Sequence, residues 1–219
     1  MSARRTPTPR ARFITFEGID GSGKSTQLRL LADELRRRGC DLITTREPGG
    51  TPLGARLRGT LLDADEQIDP LAELLLYAAD RAQHVRTLIR PALAADRIVL
   101  SDRYADATLA YQGAGRALPA ETIEQIVRLA TDDLKPDLTL VFDLDIAHAH
   151  ARLAARRARD EHRGGDRLDN ESAAFHQRVR DAYHDIARRE PDRVRLVDAE
   201  SSIEEMHAEV MRLVRPFLE

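Results

Sequence analysis

A lysine and a serine end the run Gly18-Ile19-Asp20-Gly21-Ser22-Gly23-Lys24-Ser25. The spacing G-x-x-x-x-G-K-S is that of a loop that grips phosphate. Its glycines let the backbone curl until successive N–H groups face one anion. A helix starting behind such a loop adds the positive end of its dipole. Lys24 would reach the β- and γ-phosphates of a nucleoside triphosphate, and Ser25 would offer its hydroxyl to Mg2+. The apolar run Phe13-Ile14-Thr15-Phe16 precedes the loop, and an amphipathic segment opens at Thr26. That strand–loop–helix context separates the motif from a Gly/Ser turn that merely contains a lysine. Of the 34 basic residues only Lys24 and Lys135 are lysines. A compact ammonium fits between phosphate oxygens in a tight loop where a guanidinium fork does not replace it.

Two further clusters carry chemistry. Ser101-Asp102-Arg103-Tyr104 follows the apolar run that begins at Ile98. Asp102 can hold Mg2+ directly or through water, and Arg103 can grip a phosphate through two parallel N–H bonds. The other reading is a helix start with Asp102 as its cap. Thr45-Arg46-Glu47-Pro48-Gly49-Gly50-Thr51 reads as a turn, because Pro48 and two glycines suit neither helix nor strand. Arg46 there is either a phosphate ligand or a solvated surface charge.

The elements that must position these residues alternate along the chain. Strands are expected at Phe13–Phe16, Asp41–Thr45, Ile98–Ser101, Leu138–Leu144 and Val194–Asp198. Helices are expected at Ser25–Arg38, Leu53–Asp63, Pro70–Ala95, Ala120–Thr131, Ile146–Arg159, Asn170–Arg189 and Ser202–Leu218. Strands separated by helices imply an α/β fold with a parallel sheet and helices on both faces. Ligands of such sheets gather at the carboxyl ends of the strands, where all three clusters fall.

The bulk properties narrow the class. The 219 residues suffice for one α/β domain. Residues 1–12 are basic, contain Pro7 and Pro9 and read as a disordered tail; residues 13–219 read as a single domain. A net charge of −3 gives no field for nucleic acid. No apolar run approaches the ~18 residues of a membrane helix, so no membrane partner is expected. Cys40 is the single cysteine, which excludes an internal disulfide and suggests a reducing, cytoplasmic setting.

The runs EGIDGSGKSTQ, TREPGGT, YAADRAQH, SDRY and AYQGAGR, in this order, resemble the bacterial thymidylate kinases, a family of P-loop nucleoside monophosphate kinases. TREPGGT followed by a DRY segment is far more specific than the phosphate loop. The resemblance covers the chain from about Phe13 through the last helix. It implies a P-loop kinase fold with a five-stranded parallel sheet and a short lid. It also implies ATP and Mg2+, phosphorylation of dTMP to dTDP, and a homodimer.

Roles carried over by that resemblance are as follows. Tyr77 and Arg81, one turn apart on a helix, match the aromatic and the arginine that hold thymine. Tyr77 packing in the core, with Arg81 in water, is the alternative that the residues alone leave open. Tyr111 matches a tyrosine beside the deoxyribose that leaves no room for a 2′-hydroxyl. Thr108 and Gln112 match positions near the base, and Pro48 belongs to the acceptor side. Asp20 matches an acid near the nucleotide sugar and Mg2+. Arg46 and Arg103 match arginines on the acceptor phosphate and the transferring group.

Some relatives place an arginine in the phosphate loop where this chain has Gly21. The segment of about residues 152–169 contains Arg152, Arg156, Arg157, Arg159, Arg163 and Arg167 and resembles the bacterial lid. A lid arginine, Arg156 or Arg163 by position, would then supply the missing cation over the phosphates. Most of the others would form a solvated helix face, with pairs such as Arg157 and Glu161.

Two rivals stay in view. A deoxynucleoside kinase, or another monophosphate kinase, shares the loop, but a neutral hydroxyl acceptor needs a base and no pair of arginines. A nucleotide-dependent switch or ATPase module is the rival from a different class. The guanine-reading run N-K-x-D is absent, since the sole asparagine, Asn170, precedes Glu171.

Overall fold

The computed structural model describes residues 12–62, 67–159 and 167–218, without the side chains of residues 156 and 159. Most of the tail lies outside them. Five strands form one sheet: β1 (Phe13–Glu17), β2 (Leu42–Arg46), β3 (Ile98–Asp102), β4 (Leu138–Asp143) and β5 (Val194–Asp198). Their order is β2-β3-β1-β4-β5, and each neighbouring pair is parallel. The sheet is therefore the α/β architecture that the sequence predicts.

The three central strands read as apolar runs because their two faces are both covered. Every residue of β1 is buried, as expected for a central parallel strand. Ile14 and Phe16 join a core cluster with Ile98 and Leu100 of β3, while Phe13 and Val99 belong to a second cluster. Successive side chains of a strand point to opposite faces, so these clusters are the two sides of the sheet. Beneath it, Arg193 forks onto Asp106 at 2.7 and 3.0 Å, and Asp106 also accepts from the Thr139 hydroxyl. The fork satisfies a carboxylate that would otherwise be buried unpaired.

Nine α-helical segments are described: α1 (Lys24–Arg37), α2 (Pro52–Leu62), α3 (Pro70–His84), α4 (Arg90–Ala94), α5 (Ala105–Thr108), α6 (Ala120–Thr131), α7 (Ile146–Arg159), α8 (Ala173–Arg189) and α9 (Ile203–Val214). Three differ from the expected boundaries. The single helix expected over Pro70–Ala95 contains a π-helical turn at Val85–Ile89, where the Arg90 N–H bonds five residues back to Val85. Pro91, which has no N–H to donate, follows at once. The Ser172 hydroxyl accepts from the Phe175 amide and caps α8, which begins at Ala173, three residues after Asn170. The last helix gives way to a 3-10 turn at Arg215–Phe217.

The helical stretch of residues 105–115, α5 included, has no counterpart among the expected elements. Residues Leu109–Gly115 continue α5 as a π-helix. Gly113 and Gly115 are weak helix formers. Tertiary packing overrides that weak signal, for Tyr111, Gln112 and Gly115 are all buried.

β1 lies between β3 and β4, so the chain leaves the sheet centre in opposite directions on its two sides. That is a topological switch point, and the crevice above it is where such sheets bind ligands. The loop after β1 enters this crevice. Gly18 has φ +125°, and a Cβ there would sit 2.5 Å from the Phe142 carbonyl oxygen of β4. A backbone oxygen cannot swing aside, so only glycine lets the loop turn here.

Candidate active site

Loop residues 18–25 join β1 to α1. Gly23 is the N-cap of α1 in the left-handed region, offers no side-chain cap, and is followed by a first turn without an acid. The leading amides of α1 thus face the crevice uncapped, which favours an anion. The Lys24 ammonium curls back to the Ile19 carbonyl at 2.9 Å and stands 3.5 Å from Asp20. Burial and the neighbouring Arg103 charge push its pKa down. Ser22 is buried, and Ile19 anchors the loop in the core.

Ser25 and Asp102 meet at the mouth of the loop, where the Ser25 hydroxyl donates to Asp102 at 2.6 Å. Two hard oxygen donors side by side are a set that a small divalent cation takes. Arg46, at the end of β2, lines an open cleft with both of them. The reading of Asp102 as a helix cap does not hold: it is the last residue of β3, and α5 starts after Tyr104 without a side-chain cap.

Arg103 has φ +71°, an uncommon conformation for a non-glycine residue. It turns the guanidinium back across the loop. It donates to the Gly18 carbonyl at 3.0 Å and to Asp20 at 2.9 Å, and it lies 4.9 Å over the Tyr111 ring. Burial would push the Asp20 carboxyl up, but Arg103 and Lys24 outweigh it and hold it well below the usual carboxylate range. Asp20 thereby separates two cations that would otherwise repel.

A second cleft opens beside this junction. Pro48, Tyr77, Arg81, Thr108, Tyr111 and Gln112 all line it, with Asp20 and Arg103 at one end. The alternative for Arg81, a side chain in water, is excluded, for it is 2 % exposed. Its guanidinium donates to Glu47 at 2.7 Å, to the Thr108 hydroxyl at 2.7 Å and to the Tyr104 carbonyl at 2.8 Å.

Glu47 explains why TREPGGT and YAADRAQH occur together. Its carboxylate takes Arg81 on one oxygen and His84 on the other, at 2.7 and 2.8 Å. Thr45 meets the far ring nitrogen of His84 at 2.7 Å. Asp80 accepts from the Gly49 amide at 3.2 Å. The two runs interlock so closely that a Cβ on Gly50 would lie 2.5 Å from the His84 ring. Sequence reading places neither Glu47 nor Arg58 in the site. Arg58 on α2 donates to the Pro48 carbonyl at 3.0 Å and lines the same cleft. Nothing in its helical neighbours signals this, because the contact is made across the turn.

The lid arginines divide. Arg152 lies by the phosphate loop, donating to the Gly21 carbonyl at 3.4 Å. A Cβ on Gly21 would come within 3.0 Å of the Ala149 carbonyl of α7, so α7 occupies the space a loop arginine would leave by. Arg163 and the Arg156 side chain lie outside the described residues, as does Glu161. Arg157 pairs with Asp169 at 3.5 Å, and Arg167 pairs with Glu73.

The sequence profile of the family described as "Thymidylate kinase" matches residues 16–210. The chain belongs to the thymidylate kinase family. It is 48% identical over 206 residues to a thymidylate kinase of Halothermothrix orenii, covering 94% of this chain and 97% of that one. It is 51% identical over 189 residues to a thymidylate kinase of Desulfosudis oleivorans, covering 85% and 88%. Among solved structures, a thymidylate kinase from Ehrlichia chaffeensis superposes with a TM-score of 0.74 at 35% identity, covering 94% and 99%.

Beneath the family's loop lies a buried carboxyl with a readable charge state. Glu17 accepts from the Tyr104 amide at 2.7 Å and the Tyr183 hydroxyl at 2.8 Å. Burial, and then the Asp106 charge, push its pKa up to about 8. An acid raised on folding holds a proton that the unfolded chain has lost. Its contribution therefore falls as pH rises from its unfolded value near 4.5 through 8. Glu17→Gln keeps the shape and removes the titration. Between pH 5 and pH 8.5 the stability of Glu17→Gln relative to wild type should rise by about 2–4 kcal/mol. Urea midpoints at both pH values measure this, and a pH-independent difference would show that Glu17 is not protonated by folding.

Proposed function

We propose that the chain transfers the γ-phosphoryl group of ATP to the 5′-phosphate of dTMP, giving dTDP and ADP. The observation that carries this reading is the junction at Asp20 and Arg103. Arg103 bonds the phosphate loop through Gly18 and Asp20, yet lines the second cleft. A donor loop and an acceptor cleft that share a cation suit phosphoryl transfer between two anions. A switch or a simple ATPase has no use for the second cleft.

The loop amides and Lys24 hold the donor phosphates. Ser25 and Asp102 would hold Mg2+, which would offset charge on the donor phosphates. Arg103 and Arg46 balance charge on the acceptor and transferring groups. Arg152, beside Gly21, is the described α7 arginine best placed to add a cation; Arg156 and Arg163 share that candidacy by sequence alone. Tyr77 offers a ring face to thymine, and Arg81 with Thr108 and Gln112 offers polar atoms at the base edge. Tyr111 fills the space beside the sugar. Positioning and charge balance suffice because a nucleotide phosphate is already an ionised nucleophile.

The carboxylates of the second cleft disfavour a nucleoside acceptor. Glu47 is committed to Arg81 and His84, and Asp20 to Arg103 and Lys24. Neither is free to take a proton from a sugar hydroxyl. With ATP and Mg2+, dTMP should be turned over and thymidine should not; the reverse preference would overturn the acceptor assigned. Lys24→Ala should lower kcat by 10²-fold or more, on the order of 3 kcal/mol of transition-state stabilisation, with the urea midpoint little changed. A kcat within threefold of wild type would remove Lys24 from the mechanism.

We also propose a homodimer. Leu71 and Leu75 of α3 and Leu129 of α6 are 46%, 51% and 77% exposed on two helices that pack together. Apolar side chains gathered on one surface suit an interface. Light scattering should give twice the chain mass of 24.6 kDa, and a single-chain mass at micromolar concentration would overturn the assignment.

A further inference from the structure

Glu73 is a fully buried acid that the functional reading leaves without a task. It lies on α3, one turn before Tyr77, and is 0% exposed. Four N–H groups converge on its two oxygens. Gln112 donates at 2.8 Å, Arg116 donates at 3.2 and 3.1 Å, and Arg167 donates to the oxygen that Arg116 also uses. Those donors outweigh burial and hold the carboxyl below its ordinary value. An isolated carboxylate would not stay charged in such a place, so this is a built node.

Its partners lead to the walls of the acceptor cleft. Gln112 lines the cleft itself. Arg167 also donates to the Leu61 carbonyl at 3.1 Å, and its backbone N–H bonds the Leu62 carbonyl at 3.1 Å. These are terminal carbonyls of α2, which have no partner within their own helix. Leu62 and Leu168, on either side of that contact, form apolar wall of the same cleft. Arg116 continues outward to Glu171 and lies 4.9 Å over the Phe175 ring. One carboxylate thus fixes a polar wall residue directly and two apolar wall residues through Arg167.

We propose that Glu73 and Arg167 are positioning residues that set the shape of the acceptor cleft, and that Arg167 serves acceptor binding and not the phosphates. Neither side chain touches the acceptor in this arrangement. Both act through Gln112, Leu62 and Leu168. The proposal rests on the reading of dTMP as the acceptor. It predicts that the damage from losing the node falls on one substrate only.

Arg167→Met keeps much of the side-chain volume and removes the fork. Its KM for dTMP should rise roughly tenfold or more, while the KM for ATP and kcat stay within about threefold. Glu73→Gln, which leaves Arg116 and Arg167 facing each other without a counter-charge, should show the same split. Arg167→Lys, which keeps the charge on Glu73, should recover part of the loss. A merely structural role would lower the melting temperature and the active fraction without separating the two KM values. An arginine on the phosphates would lower kcat or raise the KM for ATP. Either result, or an unchanged KM for dTMP in both Arg167→Met and Glu73→Gln, overturns the proposal. Should Arg167→Met fail to fold, Glu73→Gln and Arg167→Lys give the same reading. Wild-type enzyme is the control: absence of dTMP turnover there overturns the acceptor, whereas wild-type turnover with unsplit variants overturns only the node.

Discussion

The Glu47 carboxylate and the Arg81 guanidinium stand 2.7 Å apart, and both are almost completely shielded from water. Taking two charges out of water costs several kcal/mol each unless their remaining donors and acceptors are met. Here they are met. His84 takes the second Glu47 oxygen, and Thr108 and the Tyr104 carbonyl take the rest of Arg81. The pair therefore cannot form until β2, α3 and the segment after β3 have come together. Pro48 is the chain neighbour of Glu47, and Tyr77 lies one turn from Arg81. The cleft proposed to accept a nucleotide is the lining of this pair, and its shape is as fixed as the pair is costly to break.

The donor half depends on a different constraint, a backbone approach. Gly18 passes so close to the Phe142 carbonyl that no side chain fits. The loop is thereby pinned to β4 while its amides face the crevice. The same Gly18 offers its carbonyl to Arg103. Arg103 can reach it because its own backbone has entered the left-handed region, a strain that the surrounding contacts must hold. The two halves of the site are joined at this place, by one guanidinium that spans a loop and a cleft.

Much of this was legible in the residues. The central strands were readable because parallel strands buried on both faces are apolar runs bounded by helices. The phosphate loop was readable because its glycines and its lysine are demanded by local geometry. Tyr77 and Arg81 were readable as a pair only through the family resemblance, since helical spacing alone puts them one turn apart without giving them a task. What was not legible is who meets whom across the fold. Glu47 looked like one residue of a turn, and only the arrival of His84 and Arg81 from α3 gives it a task. Residues Leu109–Gly115 were not among the expected helices, because glycine is a weak helix former and only packing enforces the helix there. Arg167 looked like its neighbours in a run of lid arginines. Residue type shows that an arginine can fork onto two acceptors; it does not show whether those acceptors are phosphates or a buried glutamate.

That last ambiguity explains the composition. Arg81, Arg103, Arg116 and Arg193 each bond two or more groups from distant parts of the chain. A planar guanidinium does this well, since its donors point in fixed directions and each can be assigned to a fixed acceptor. Such a side chain is a structural joint. Lys24 holds only the Ile19 carbonyl and the edge of Asp20, both within its own loop. Its three donors rotate about one bond, so they can follow phosphate oxygens as charge shifts along the line of transfer. In the proposed reaction, a chain that uses arginine almost everywhere else keeps lysine at the place where the acceptor of the hydrogen bond would change.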